Sequence, residues 1–217
     1  MQRLSYLALA ILALLAVTTP AQAEGPQVIA VGPWSKPVAD HRGYALRGRL
    51  VLCEKVVSED RREVAVYIEL QDACDFIGHG MQLWCELSKH DFRPEYKGGL
   101  HCQMHDGNGN KIEPEGFPFG GAVPSNQWVT LPTDGTIRLR TTPFGIHRPG
   151  ALAICPDLGG MWIIPDDDKH EYRLSGAFTI DPAADQKPPA DEPHIWRGAL
   201  ELPAMQIFSR GMAARAQ

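Results

Sequence analysis

Residues 98–110, GGLHCQMHDGNGN, gather the side chains of this chain best suited to chemistry. His101, Cys102 and His105 are donor types that hold zinc or copper. Asp106, Asn108 and Asn110 follow at alternate positions, as the oxygen ligands of a calcium loop do. What either set can do depends on the backbone beneath it. On a helix, histidines four apart share a face. Here apolar and polar residues alternate, with Leu100, Cys102 and Met104 on one side and His101, Gln103 and His105 on the other. At roughly 3.3 Å per residue the two histidines stand about 13 Å apart. A zinc ion needs each ring nitrogen within about 2.1 Å. His101, Cys102 and His105 therefore stay metal candidates only if other strands bring further ligands, and His41, His79 and His90 are the available ones. A blue-copper site needs an axial Met after the second ligand, and none follows His105 at a suitable distance. No metal and no cofactor is the expectation.

The calcium reading fares similarly. An EF-hand loop starting at Asp106 would place Gly at position 6 and Glu at position 12, where this chain has Lys111 and Phe117. DGNGN reads instead as a hairpin loop, since Asp, Asn and Gly cap turns or accept positive φ. Asp166, Asp167 and Asp168 lie in PDDDKHEY, a solvated turn with calcium as the alternative. The chain has no G-x-S-x-G, H-E-x-x-H or P-loop, so no catalytic residue is assigned.

Aromatic residues carry the binding candidates. Trp196 shares parity with Leu200 and Leu202 and should point inward. Trp84 falls opposite Leu83, Cys85 and Leu87 and should point outward, where it can stack on a sugar or dock a protein. Phe117 and Phe119, in the Gly/Pro-rich loop 113–127, are the other outward candidates.

The elements that must position these residues read as strands. Val64, Val66, Ile68 and Leu70 share one face of REVAVYIELQD, and Leu46, Leu50 and Leu52 one face of GYALRGRLVL, with Arg47 and Arg49 opposite. Ile137 and Leu139 alternate with Arg138 and Arg140, and Tyr172, Leu174, Phe178 and Ile180 with Arg173, Ser175, Ala177 and Thr179. Such runs are half-buried antiparallel strands. The 18 prolines and 21 glycines interrupt the chain too often for long helices. WVTLPTDGTIRLR and WIIPDDDKHEYRL echo one another as strand–turn–strand units. The expected fold is all-β: a two-sheet antiparallel sandwich of about eight or nine strands, immunoglobulin-like, with a closed barrel as the alternative.

MWIIPDDDKHEYRLSGAFTI followed by WRGALELPAMQI resembles the C-terminal half of small exported bacterial β-sandwich proteins of immunoglobulin-like build, and REVAVYIELQD resembles an earlier strand of that group. The resemblance implies the fold and no activity.

The chain's ends and composition place it. Arg3, the apolar run Leu4–Val17 and Ala21-Gln22-Ala23 read as a secretory signal over residues 1–23. A single domain over 24–208 and a fraying tail over 209–217 are expected, with a periplasmic or extracellular location and no membrane span after cleavage. The net charge of −5 and scattered Lys and Arg argue against nucleic acid. Five cysteines are an odd number, so export makes disulfides possible while leaving at least one thiol unpaired within the chain. These observations lead to a non-catalytic exported module that binds a protein or glycan, or has a structural role. The alternative is a metal-binding or redox protein centred on Cys102 and His105.

Overall fold

A computed structural model describes residues 25–59, 61–74, 80–85, 87, 99–116, 125–157, 160–165, 170–182 and 194–208. Residues 1–23, Phe117, Phe119, Asp166 to Asp168 and the tail 209–217 lie outside these, as do His79 and His90.

The described residues form fifteen strands and no helix. In chain order the first eight are β1 (Gln27–Val31), β2 (Val38–Ala39), β3 (Ala45–Ser58), β4 (Arg61–Asp72), β5 (Met81–Cys85), β6 (Gly99–Asp106), β7 (Lys111–Ile112) and β8 (Gln127–Leu131). The rest are β9 (Thr136–Arg140), β10 (Gly145–Arg148), β11 (Ala151–Asp157), β12 (Gly160–Pro165), β13 (Glu171–Ile180), β14 (His194–Ile195) and β15 (Gly198–Phe208). The all-β reading holds. The expected strand count and two-sheet division do not, because the strands divide among three sheets. An eight-stranded sheet runs β1-β3-β4-β10-β11-β12, with β2 on β3 and β9 on β4. A four-stranded sheet runs β15-β13-β6-β7, and a three-stranded one β14-β5-β8. All pairs are antiparallel except β14 with β5.

Alternation fixes which face is buried. Leu46, Leu50 and Leu52 of β3, Val64, Val66, Ile68 and Leu70 of β4, and Tyr172, Leu174, Phe178 and Ile180 of β13 all enter one core. Leu200 and Leu202 of β15 press on Gly48, where a Cβ would come within 3.0 Å of Leu202. A bulge in β15 sets two residues, Pro203 and Ala204, against Ser175. Bulged strands shift parity, so Met205 and Ile207 return to the core face that Leu200 and Leu202 occupy. Pro203 has no N–H to lose from a ladder there.

Two strands share one edge of β4. β9 pairs with Tyr67–Gln71 and β10 with Arg62–Val64. Between them Thr141 and Thr142 complete the ladder with their side chains. Val66 N donates to Thr142 Oγ1 at 2.9 Å, and the Thr141 hydroxyl and N–H both donate to Val66 O. No helix among the described residues is long and apolar enough to cross a membrane.

Candidate functional site

The cluster on β6 is divided as its alternation requires. Leu100 and Met104 are buried and Cys102 packs against the core, while His101 is exposed and His105 half-buried on the other face. His105 stands directly between Arg173 of β13 and Lys111 of β7. Flanking cations oppose the binding of a metal ion there. Among the described residues no three His, Cys, Asp or Glu gather into a metal-sized cluster. The loop after β6 explains itself locally. Asp106 Oδ1 accepts the N–H groups of Asn108 and Asn110, and the Asn110 amide donates to Oδ2 at 2.9 Å. The Asn110 side chain and these N–H groups hold the Asp106 carboxyl below its usual value.

None of the five cysteines is joined in a disulfide. Burial pushes Cys53 and Cys74 up to about 11 and Cys85 up to about 12, far from nucleophilic thiolates.

Two acid–histidine pairs are buried. His147 Nδ1 meets Glu54 Oε1 at 2.5 Å, with Arg62 on the other carboxylate oxygen at 2.9 Å. His194 Nε2 meets Asp40 Oδ2 at 2.7 Å and stacks on Tyr44 with centroids 3.5 Å apart. Burial would raise both carboxyls, but their hydrogen bonds outweigh it: Asp40 also accepts the Arg42 and Tyr44 N–H groups, and Glu54 its His and Arg. Each carboxyl is held below its usual value. These pairs join strands and loops that are distant in sequence.

Trp84 points away from the core, as its parity requires: Leu83 and Cys85 are fully buried and Trp84 is half-buried. Its cross-strand partner is Trp128 of β8, with ring centroids 5.5 Å apart and planes tilted by 56°. Gln82 and Thr130 form the next row on that face, joined by a 2.7 Å hydrogen bond from Gln82 Nε2. Gln82 is buried, and its Oε1 meets no hydrogen-bond partner. A buried acceptor left unmatched costs about 1–3 kcal/mol. The two tilted, half-buried indoles form a small aromatic platform on this face.

No family model, curated protein or solved structure matches this chain. Its functional reading therefore rests on its own geometry.

The scattered cations of the sequence are not scattered in space. β4 lies between β3 and β9, so on its outer face Arg49, Glu69 and Arg138 form one row. Arg47, Gln71 and Thr136 form the row on one side, and Val51, Tyr67 and Arg140 the row on the other. Glu69 takes both neighbouring guanidinium groups, Arg49 Nε at 2.6 Å and Arg138 Nε at 2.7 Å. Its burial would raise the carboxyl, but the two arginines hold it below its usual value. Arg49 and Arg47 also lie over the Trp34 ring at 4.3 and 5.1 Å, and Arg140 over Phe144 at 4.1 Å.

Sequence reading singles out Trp84 and does not foresee its pairing with Trp128 or the four-arginine face. The signals were present: Trp128 and Thr130 alternate with Val129 and Leu131, and R-x-R occurs on both β3 and β9. Strand pairing, which alternation does not reveal, brings each set together.

Proposed function

We propose that this protein is an exported, non-catalytic module that binds a protein or glycan, folded as an immunoglobulin-like sandwich. The signal-like residues 1–23 support export. The contact of Leu200 and Leu202 with Gly48, one sheet face upon another, supports the sandwich. The observation that carries the binding reading is the outward Trp84–Trp128 pair. Indole faces cover the apolar face of a sugar ring at low entropic cost.

The test is titration of the purified protein with a panel of neutral oligosaccharides, read by tryptophan fluorescence and calorimetry. A ligand should shift the emission, and Trp84→Ala or Trp128→Ala should each weaken it about tenfold or more. Binding undiminished in both variants would remove the platform from the reading. Turnover abolished by substituting one or two polar residues would overturn the non-catalytic assignment. Stoichiometric zinc or copper by elemental analysis would favour the alternative centred on Cys102 and His105.

A further inference from the structure

We propose that the outer face of β3, β4 and β9 is a second binding site, built for an extended carboxylate- or sulfate-bearing glycan. The proposal is independent of the tryptophan platform and uses none of its residues.

Charge is the first argument. Among the described residues of these three strands, four arginines share this face with one buried glutamate, Glu69. The next charges along the strands, Lys55 and Glu63, are direct cross-strand partners and offset one another. The face is therefore strongly cationic on a chain whose net charge is −5. A local field of this kind, set against the overall sign, concentrates anions.

Preorganisation is the second. Glu69 grips Arg49 and Arg138 through their Nε edges, and Trp34 backs Arg47 and Arg49 from one side. Gln71 takes Arg47 Nε at 2.8 Å. The arginines are thus held in place before any ligand arrives, which lowers the ordering cost of binding. The central pair is not sealed off: Arg49 is 28% and Arg138 40% exposed, whereas Arg140 Nη1 is buried. Guanidinium N–H groups unused by Glu69 remain to form paired hydrogen bonds with carboxylate or sulfate.

Size decides the class of ligand. The two outer strands stand two strand spacings apart, about 10 Å, and the three rows span about 13 Å. That is far below the roughly 800 Å² per partner of a standard protein interface. The exposed apolar residues nearest it, Val28 and Val31 on β1, are two small side chains and give no interface core. A few sugar rings with negative groups on alternating sides match the patch.

The experiment measures affinity of the purified protein for polygalacturonate, its methyl-esterified neutral form, heparin and poly-glutamate, at 50 and 200 mM salt. Polygalacturonate or heparin should bind with an affinity that falls steeply with salt, and the esterified polymer should not bind. Arg47→Gln/Arg140→Gln, which leaves the Glu69 pairs intact, should weaken binding about tenfold while thermal stability stays near wild type. Arg49→Gln/Glu69→Gln/Arg138→Gln removes the central row without stranding a charge and should abolish it. Trp84→Ala should leave this binding unchanged, which separates the fate of this site from that of the platform. Poly-glutamate binding as tightly as the glycans would overturn the glycan assignment in favour of an acidic peptide. No salt-sensitive binding of any polyanion, or binding indifferent to the arginine variants, would overturn the site.

Discussion

At Gly145 the absence of a side chain is a geometric requirement. A Cβ there would lie 1.9 Å from the carbonyl oxygen of Ala153 and 2.8 Å from its carbon, both backbone atoms of β11. Neither can rotate away. Gly145→Ala should therefore destabilise by about 3 kcal/mol, the top of the range for overpacking, with a lowered urea midpoint and an unchanged m-value. Cysteine reactivity is the second residue-scale consequence. Cys53 and Cys85 are buried with raised thiol values, so neither should be alkylated at pH 8 in the native state. Mass spectrometry after iodoacetamide treatment should show both modified only once denaturant is added. At this scale the sequence was informative. The parity of β6 alone separated Cys102 from His101 and His105, because side-chain direction in a strand alternates whatever the strand pairs with. Two Trp or two Arg becoming neighbours is a different kind of fact, since it needs the identity of the partner strand.

Strand pairing explains what was hidden at the level of elements. WVTLPTDGTIRLR and WIIPDDDKHEYRL each read as strand–turn–strand, and each contributes two strands. The flanking strands do not pair with each other. β8 joins the three-stranded sheet and β9 the eight-stranded one, while β12 and β13 likewise belong to different sheets. Alternation marks the face a strand buries, and a turn that carries the chain between sheets keeps that pattern intact. The same ambiguity concealed how β9 and β10 divide one edge of β4. Their junction depends on two threonines, of which Thr142 is fully buried and accepts the Val66 N–H. Thr142→Val keeps the shape and leaves that donor bare, so it should cost about 1–3 kcal/mol. Thr142→Ser retains the hydroxyl and should recover most of the loss that is due to the hydrogen bond. Hydrogen exchange at the Val66 amide distinguishes the two: it should accelerate in the valine variant and stay protected in the serine one.

For the whole molecule, three carboxylates give stability a common dependence on pH. Asp40, Glu54 and Glu69 each sit below their usual values in the folded state, because hydrogen bonds and neighbouring cations outweigh burial. The unfolded chain, with ordinary values near 4, therefore binds more protons than the folded one as pH falls through that range. By linkage, stability rises with pH there. Their contribution is complete above about pH 5 and is lost progressively as pH drops through 4 toward the depressed folded values. The three sites tie together separate parts of the fold: Asp40 to β14, Glu54 to β10, and Glu69 to both β3 and β9. Acid should thus loosen several inter-strand connections over one narrow range. Urea unfolding measured from pH 7 to pH 3 should show a falling free energy that steepens below pH 5. Glu69→Gln removes one titrating group, so its curve should be less stable at pH 7 and flatter in acid, converging on wild type near pH 3. A Glu69→Gln curve parallel to wild type throughout would assign the acid sensitivity to the two histidine-linked carboxylates and leave the arginine row with a binding role alone.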